Sequence, residues 1–598
     1  MKVGHAFSEH IHTEKKSLLR PRRFSLHHEQ EIRTRWYILP ILVIGGFLLL
    51  LGHMFQLQIV NGYKYRLMSD TNRFRTARIF APRGIILDRN NTPLVYNVPG
   101  FRQTLNGKTK ILSQEEAIAL LAKGDKTVGV DSLRKYPFGE STGHILGYIG
   151  EISPVELKKS KFTTYKTGDL IGKMGIEAAY EDLLRGVDGQ QLIEVDAFGK
   201  IIRTLGQTDP IPGQDIKLTL DAKLQQAVFT AMQQVKKGAV VVSTPKGEIL
   251  AMLSKPGFDT NLFTLGKNYT PASQSAYTTI SGAINDSENY PLLNRAIGGT
   301  YPPGSTFKLV TAAGALENKL IDKNYTVEDT GVLKVGEFSY ANWYYTQHGK
   351  TEGEVDVVKA LKRSNDIFFY KVGQKLGVKR LSQTAHAFSA GELSGIDIPG
   401  EVKGTLPSKE WKKETIGENW YLGDDFHYAI GQGYILTTPL QVNLWTQAVA
   451  NKGMWYTPYF LKDKTSELRG DNLLTNKNYE LIRQGMIESC QPGGVGWPLF
   501  NFSVKNKKLT IDNKNISNTT QATDSAKMSP DSQFISVACK TGTAQHGGEE
   551  TLPHAWITLF APAYDPQVIV TVLNEESGEG SNMAAPIARD ILKAWFEK

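Results

Sequence analysis

The stretch Trp36 to Leu57, WYILPILVIGGFLLLLGHMFQL, is apolar on every helical face, and only His53 and Gln56 interrupt it, near its end. A helix of about 20 such residues crosses a hydrocarbon core, whereas a core helix of a soluble domain shows polar residues on one side. After it the pattern shortens. Residues 58–235 alternate short apolar runs with turns rich in Gly, Arg and Asp, as in NRFRTARIFAPRGIILDRNNTPLVYNVPGF and GKMGIEAAYEDLLRGVDGQQLIEVDAFGK. From Lys236 the texture changes again. KKGAVVVSTPKGEILAMLSKP gives two β-branched runs around Pro245-Lys246-Gly247, a predicted hairpin. HAWITLFAPAYDPQVIVTVLNEE gives two more strands around Asp565-Pro566, and AAPIARDILKAWFEK closes as an amphipathic helix. Helical periodicity covers Ser305 to Lys319, Val357 to Leu376 and Pro439 to Ala450. These elements predict a mixed α+β domain, a sheet flanked by helices. Asn506 to Gln533 is polar and expected as a surface insertion.

The chain therefore divides into a tail (1–35), a span (36–57), a turn-rich region (58–235) and an α+β region (236–598). No Ala-x-Ala site follows the span, so it reads as an uncleaved signal anchor. Basic residues lie on both sides, from Lys2 to Arg35 before it and from Lys64 to Arg78 after it. The short basic tail favours a cytoplasmic N-terminus, because large domains translocate largely regardless of charge. The bulk of the chain is expected outside the plasma membrane.

Composition changes this picture little. The 598 residues are 40% hydrophobic and 22% charged, the balance of folded domains. A net charge of +9 raises nucleic acid as a partner, but Lys and Arg are dispersed, with no basic run and interleaved aromatics. Nucleic-acid binding is not expected. Arg83, Asp88, Arg89 and Glu177 read as salt-bridged turn residues. Two cysteines, Cys490 and Cys539, exclude a disulfide-stapled architecture and are expected as buried free thiols, with a single bridge as the alternative.

The chemistry starts at GGTYPPGSTFKLVTAAGALE, where a Pro-Pro-Gly turn runs into Ser305 and, three residues on, Lys308. On a helix these two project side by side at the first turn, where free N–H groups point outward. A lysine held near neutral pH is a base for a serine nucleophile; moving its pKa from about 10.4 toward 7 takes roughly 4 to 5 kcal/mol, which burial and a second cation supply. S-x-x-K alone is weak, with about two or three chance matches in a chain this long. Two further elements strengthen it: Ser364-Asn365-Asp366 in KRSNDIFFYKVG, and Lys540-Thr541-Gly542-Thr543 in SVACKTGTAQHG. If Lys540 and Gly542 face the site on a strand, Cys539 and Thr541 point away.

Three such motifs in this order mark penicillin-binding proteins and class A β-lactamases. With YPPGSTFK, AIGQGYILTTPLQ and HAWITLFAPAYDP in the second half, and APRGIILDRN, YPFGESTGHILGYIG and GIEAAYEDLLRG in the first, the chain resembles a class B penicillin-binding protein. It is most similar to penicillin-binding protein 2 of the elongation machinery. The resemblance implies the penicillin-binding transpeptidase fold at 236–598, a central mostly antiparallel sheet flanked by helices, and a pedestal or dimerisation domain at 58–235. It implies a D,D-transpeptidase that cross-links peptidoglycan stem peptides through a serine acyl-enzyme, with β-lactams as inhibitors. Ser305 is then the nucleophile, Lys308 its base and Ser364 a proton relay to the leaving amine. Backbone N–H groups of Ser305 and Thr543 form the oxyanion hole. Lys540, Thr541 and Thr543 hold the terminal carboxylate, and Asp366 and Gly542 complete the substrate contacts. The implied partner is a SEDS-family glycan polymerase of the RodA kind.

Some positions depart from the pattern. Asp366 stands where many relatives carry Asn, and an ionised carboxylate cannot donate. Some members of the elongation branch bind zinc through a Cys at the middle motif position, which here is Asn365; with only His348 and Asp329 left, no metal and no cofactor is expected. The pedestal's head, near 101–133, is short. Other classes lack their marks. No E-x-x-L-N loop of a class A β-lactamase lies between the second and third motifs, no glycosyltransferase motif lies in 58–235, and no H-E-x-x-H is present. A division-specific transpeptidase is the alternative, and a membrane-bound sensor or scaffold with a vestigial site is more distant.

Overall fold

A computed structural model describes residues 29–105, 108–125, 127–196, 201–265, 269–272, 275–505, 532–548 and 550–597. The predicted insertion Asn506–Gln533 and the N-terminal tail fall almost wholly outside the described residues.

The chain forms two compact units. The first, 1–77 with 191–207, contains helix α1 (Glu29–Phe55), a single π-helical turn at Gln56–Val60, and helix α2 (Gly62–Arg73). Tyr37–Val60 is long and apolar enough to cross a membrane, and none of it is buried by protein. In the same unit Glu194 is ion-paired with Arg73 and Arg203.

The second unit, 78–190 with 208–598, begins with a sheet in the order Ile216–Lys217, Ile86–Leu87, Pro93–Leu105, Lys108–Leu112, onto which Val128–Lys135 also pairs. Residues 101–133 make its outer end, with the short helix Gln114–Ala122 held by a Ser113/Glu116 capping box. Buried carboxylates organise the turns. Glu177 receives Arg83 (2.6 Å) and Arg134 (2.7 Å), and Arg89 reaches Glu248 at 3.4 Å, as a salt-bridged reading requires. Asp88 differs: among the described residues it has no ion pair, but it accepts the backbone N–H groups of Asn90, Thr92 and Ala222.

Helix α3 (Ala222–Ala231) leads into the larger sheet. Its strands are β1 (Gly238–Ser243), β2 (Ile249–Lys255), β3 (Ala538–Ala544), β4 (His554–Ala561) and β5 (Val568–Asn574), ordered β2-β1-β5-β4-β3 and antiparallel throughout. Both predicted hairpins are present, β1–β2 and β4–β5. Side-chain alternation builds a core on each face. Val240, Val242, Ile557, Val570 and Val572 pack with Leu224 of α3 and with Ile587 and Ile591 of the closing helix Ala585–Phe596. Val241, Trp556, Phe560, Ile569 and Leu573 pack on the other side with the central helices.

Those helices are α4 (Lys308–Glu317), α6 (Asp366–Ala387), α7 (Pro439–Ala450) and α8 (Asn476–Ser489), while α5 (Trp343–His348) buries no residue. Every residue of α7 is buried, and its start is fixed by a Thr438/Gln441 capping box and Pro439 at its first position. The predicted helix Ser305–Lys319 begins instead with a 3₁₀ turn, Gly304–Phe307, before α4. The predicted Val357–Leu376 helix is broken. It runs Val357–Arg363, stops at Ser364 in the left-handed region (φ +54°), and restarts as α6, whose N-cap Asn365 accepts the N–H of Phe368. The local reason is that Asn prefers the cap to a helix interior.

The expectation of two free thiols is corrected: Cys490, capping the end of α8, and Cys539 of β3 form a disulfide, with Cα atoms 5.9 Å apart. Alternation turns Cys539 to the face opposite Lys540, where the end of α8 lies.

Candidate active site

The Pro302-Pro303-Gly304 turn delivers Ser305 to the mouth of a cavity of about 730 Å³, lined also by Ser364, Asp366 and Thr541 to Thr543. Gly304 has φ +53°, and a Cβ there would press on Ala544 and on the carbonyl of Thr543 at 3.1 Å. Gly542 is as confined: its Cβ would meet Trp556 at 3.0 Å and Thr306 at 3.1 Å. Two glycines therefore let the serine turn and the edge strand β3 touch backbone to backbone.

Behind Ser305 lie two fully buried lysines. Lys308, one helical turn on, donates to Asp366 Oδ1 (2.6 Å), to the Ser364 carbonyl (2.8 Å) and, at 3.4 Å, to Ser364 Oγ. Lys540 donates to the same Ser364 Oγ at 2.8 Å and to the Thr541 carbonyl at 3.0 Å. The left-handed Ser364 thus holds one hydroxyl between two amines. Burial pushes Lys308 below the ordinary lysine range, while the Asp366 carboxylate pulls it back up. Lys540 is pushed further down, by burial first and then by the charge of Lys308. Two neighbouring cations in a dry site make a neutral amine accessible near pH 7.

Asp366 lines the cavity with both of its oxygens already accepting from protein donors. One oxygen is taken by Lys308 and the other by the Trp343 N–H at 3.0 Å, while its own N–H goes to Asn342 Oδ1. Asn342 and Asn365 both donate to Asp329 Oδ2, at 2.9 Å each, and Asp329 also accepts from Glu352 N–H. Asp329, considered above as a metal ligand, is therefore surrounded by donors. His348, the other, is exposed on α5, its ring tilted against that of Tyr344. Among the described residues no three His, Cys, Asp or Glu side chains gather as metal ligands.

On β3, Cys539 faces away from Lys540 as alternation predicts. Thr541 nevertheless lines the cavity together with Gly542 and the exposed Thr543, since β3 is the sheet's edge. Sequence reasoning did not single out the wall formed by Tyr340, Trp343, Gln347 and Tyr370, nor His427 and Glu579. The aromatic-dense SYANWYYTQ was the available signal. Gln347 of α5 donates to Glu579 Oε1 at 2.6 Å across the mouth.

Residues 238–593 match the family model described as the penicillin-binding protein transpeptidase domain, and 109–218 match the penicillin-binding protein dimerisation domain. The chain belongs to the penicillin-binding protein transpeptidase family. Among similar members, the peptidoglycan D,D-transpeptidase MrdA of Escherichia coli (strain K12) is 31% identical over 93% of this chain and 92% of that protein. MrdA of Acinetobacter baumannii is 30% identical over 94% and 88%. A structure of PBP2 and MreC from Helicobacter pylori covers 87% of this penicillin-binding protein and 98% of its own chain, with a TM-score of 0.70 and 26% identity. Pseudomonas aeruginosa PBP2 in complex with WCK 5153 gives 0.65 and 29%, over 87% and 96%.

Proposed function

We propose that this penicillin-binding protein is the peptidoglycan D,D-transpeptidase of cell-wall elongation, anchored by one N-terminal helix with its catalytic domain outside the cytoplasm. The observation that carries the reading is the single hydroxyl of Ser364 suspended between the buried amines of Lys308 and Lys540, beside Ser305 at the cavity mouth. In this reading Ser305 attacks the carbonyl of the penultimate D-Ala of a stem peptide and Lys308, in its neutral form, takes the proton. The N–H groups of Ser305 and Thr543 receive the oxyanion, an interaction worth about 3 to 4 kcal/mol per donor in acyl transfer. Ser364 then passes a proton from the lysine pair to the departing amine of the terminal D-Ala, leaving an ester on Ser305. Lys540 with Thr541 and Thr543 attracts the terminal carboxylate. The amine of a second stem peptide resolves the ester and restores the serine.

MrdA names among the relatives and the PBP2 structures favour the elongation branch over the division-specific alternative. A third similar structure is that of a peptidoglycan synthase complex in which polymerization and crosslinking are coordinated, with a TM-score of 0.69 and 26% identity. It supports a glycan polymerase as partner here, and we assign that role to a SEDS-family, RodA-like protein.

The test is fluorescent-penicillin labelling of the whole chain. Wild type should label and Ser305→Ala should not; labelling that persists in Ser305→Ala refutes the assignment. Depletion in a rod-shaped host should give round cells that still divide, and undivided filaments would place the protein in septation instead.

A further inference from the structure

Two carboxylates line the cavity at Ser305, Asp366 and Glu579, and among the described residues no Lys or Arg lines it. Asp366 is neutralised by Lys308 behind it. Burial holds His427, also in the lining, below the ordinary histidine range against the pull of Asp424, so its ring is neutral near pH 7. Glu579 is half-buried and meets amides instead: Gln347 donates to Oε1 at 2.6 Å and Asn582 to Oε2 at 3.2 Å. Among the described residues no cation pairs with it. An ionised carboxylate offers about four acceptor sites, so two neutral donors leave its charge uncompensated and leave sites for further N–H groups.

This carboxylate is also fixed beside the reacting strand. Glu579 caps the short helix Gly580–Met583, and Gly580 lies so close to β3 and β4 that a Cβ there would collide with the carbonyls of Gly542 and Trp556. The Gly580 N–H reaches Thr543 Oγ1 at 3.4 Å. Glu579 therefore adjoins the residue assigned to the oxyanion. Trp497 donates to Asn582 Oδ1 at 3.2 Å, which turns the Asn582 amide nitrogen toward Glu579, while Gln347 holds the other oxygen from α5. A side chain oriented by supporting bonds loses little freedom when it takes a ligand.

We propose that Glu579 binds the ammonium group of the acceptor stem peptide, whose amine resolves the ester on Ser305. This rests on the transpeptidase reading and adds to it the place where the second substrate docks. An aliphatic amine is protonated near neutral pH, and Glu579 is the lining group whose charge attracts it. The docked ammonium loses one proton to water. Its nitrogen then bonds the acyl carbon, the bond from that carbon to Ser305 Oγ breaks, and the nitrogen's surplus proton returns to Oγ by way of Ser364 and Lys308. Glu579 takes part in none of these transfers. It concentrates the amine beside the ester, so that the amine competes with water.

The test uses the full-length protein and a thioester donor, benzoyl-D-alanyl-thioglycolate, whose acyl-enzyme divides between water and an added nucleophile. With D-alaninamide, which is cationic at pH 7, wild type should give amide in competition with acid. Glu579→Gln should lower the amide-to-acid ratio about fivefold at subsaturating amine, and Glu579→Asp should recover part of it. A product ratio does not depend on how fast Ser305 is acylated. Methanol carries no charge, so its ester-to-acid ratio reports the shape of the site alone, and a fall with D-alaninamide but not with methanol is the expected result. An equal fall with both nucleophiles, an unchanged amide ratio, or no amide from wild type overturns the proposal. Acylation is also timed with Nα-acetyl-L-lysyl-D-alanyl-D-alanine and its Nε-acetylated form. A loss confined to the free-amine donor gives Glu579 to the donor strand and overturns the acceptor assignment. Failure of every donor to acylate wild type counts instead against the transpeptidase reading itself.

Discussion

Asp366→Asn isolates the electrostatics of the lysine base. Asp366 Oδ1 lies 2.6 Å from Lys308 Nζ in a buried pair, and it is the charge that holds Lys308 up against burial. At that separation and an effective dielectric of about 20, the carboxylate favours the ammonium by about 6 kcal/mol. An amide keeps one acceptor oxygen and gains a donor, so it can still accept from Lys308 while losing the Trp343 N–H bond, and local rearrangement absorbs part of the difference. A fall of at least about one pKa unit in Lys308, ~1.4 kcal/mol, is the conservative expectation. The sign is fixed: acylation needs the neutral amine, so a lower pKa moves the acidic limb of the rate profile to lower pH. The assay is the rate of penicillin acylation between about pH 5 and 9, with thermal melts at each pH to confirm folding. An unchanged limb, or one displaced to higher pH, would refute the idea that Asp366 sets the basicity of Lys308.

Lys308→Arg keeps a cation beside Asp366 but cannot deprotonate near neutral pH, so acylation should fall by at least about 10²-fold in a stopped-flow or gel-based rate measurement. Replacing both Cys490 and Cys539 by Ser opens a loop with a sequence separation of 49 and should lower stability by about 4 kcal/mol in denaturant titrations. Buried His554, stacked on His546, is depressed from an ordinary 6.5 to about 3, by burial first and then by its neighbour's charge. Unfolding lets it protonate, so its contribution is complete above pH 6.5 and is lost as pH falls toward 3; His554→Gln should flatten that part of the stability profile.

What could be read in advance was local. Ser305, Lys308, Ser364 and Lys540 lie within short motifs whose spacing already implies a shared face or turn; Ser305 and Ser364 line one cavity, and both lysines bond the Ser364 hydroxyl. The hairpins and α7 were legible because alternation and capping act over a few residues. The disulfide was not, since it depends on where the end of α8 meets the back of β3, a contact between parts of the chain 49 residues apart. The bonding of Asp366 within the protein was hidden for the same reason. Nothing nearby in sequence shows that Trp343 and Lys308 take both of its oxygens.

The break in the predicted Val357–Leu376 helix joins these two kinds of information. Apolar periodicity runs through it, and only the Ser-Asn pair, both residues that favour caps and turns, hints at a stop. Ser364 adopts φ +54°, a conformation costing a non-glycine residue about 1 to 3 kcal/mol. A continuous helix would avoid that cost, but successive side chains would then fan around its axis. With the chain broken, the Ser364 carbonyl turns back onto Lys308 and its hydroxyl meets Lys540, while Asn365 caps α6 and ties it to Asp329. The strained residue is thus the bridge between the two buried amines. Relaxing it into a helix would take away the carbonyl and hydroxyl that these amines bond, which is why the local departure from helical periodicity falls at the chemistry and not beside it.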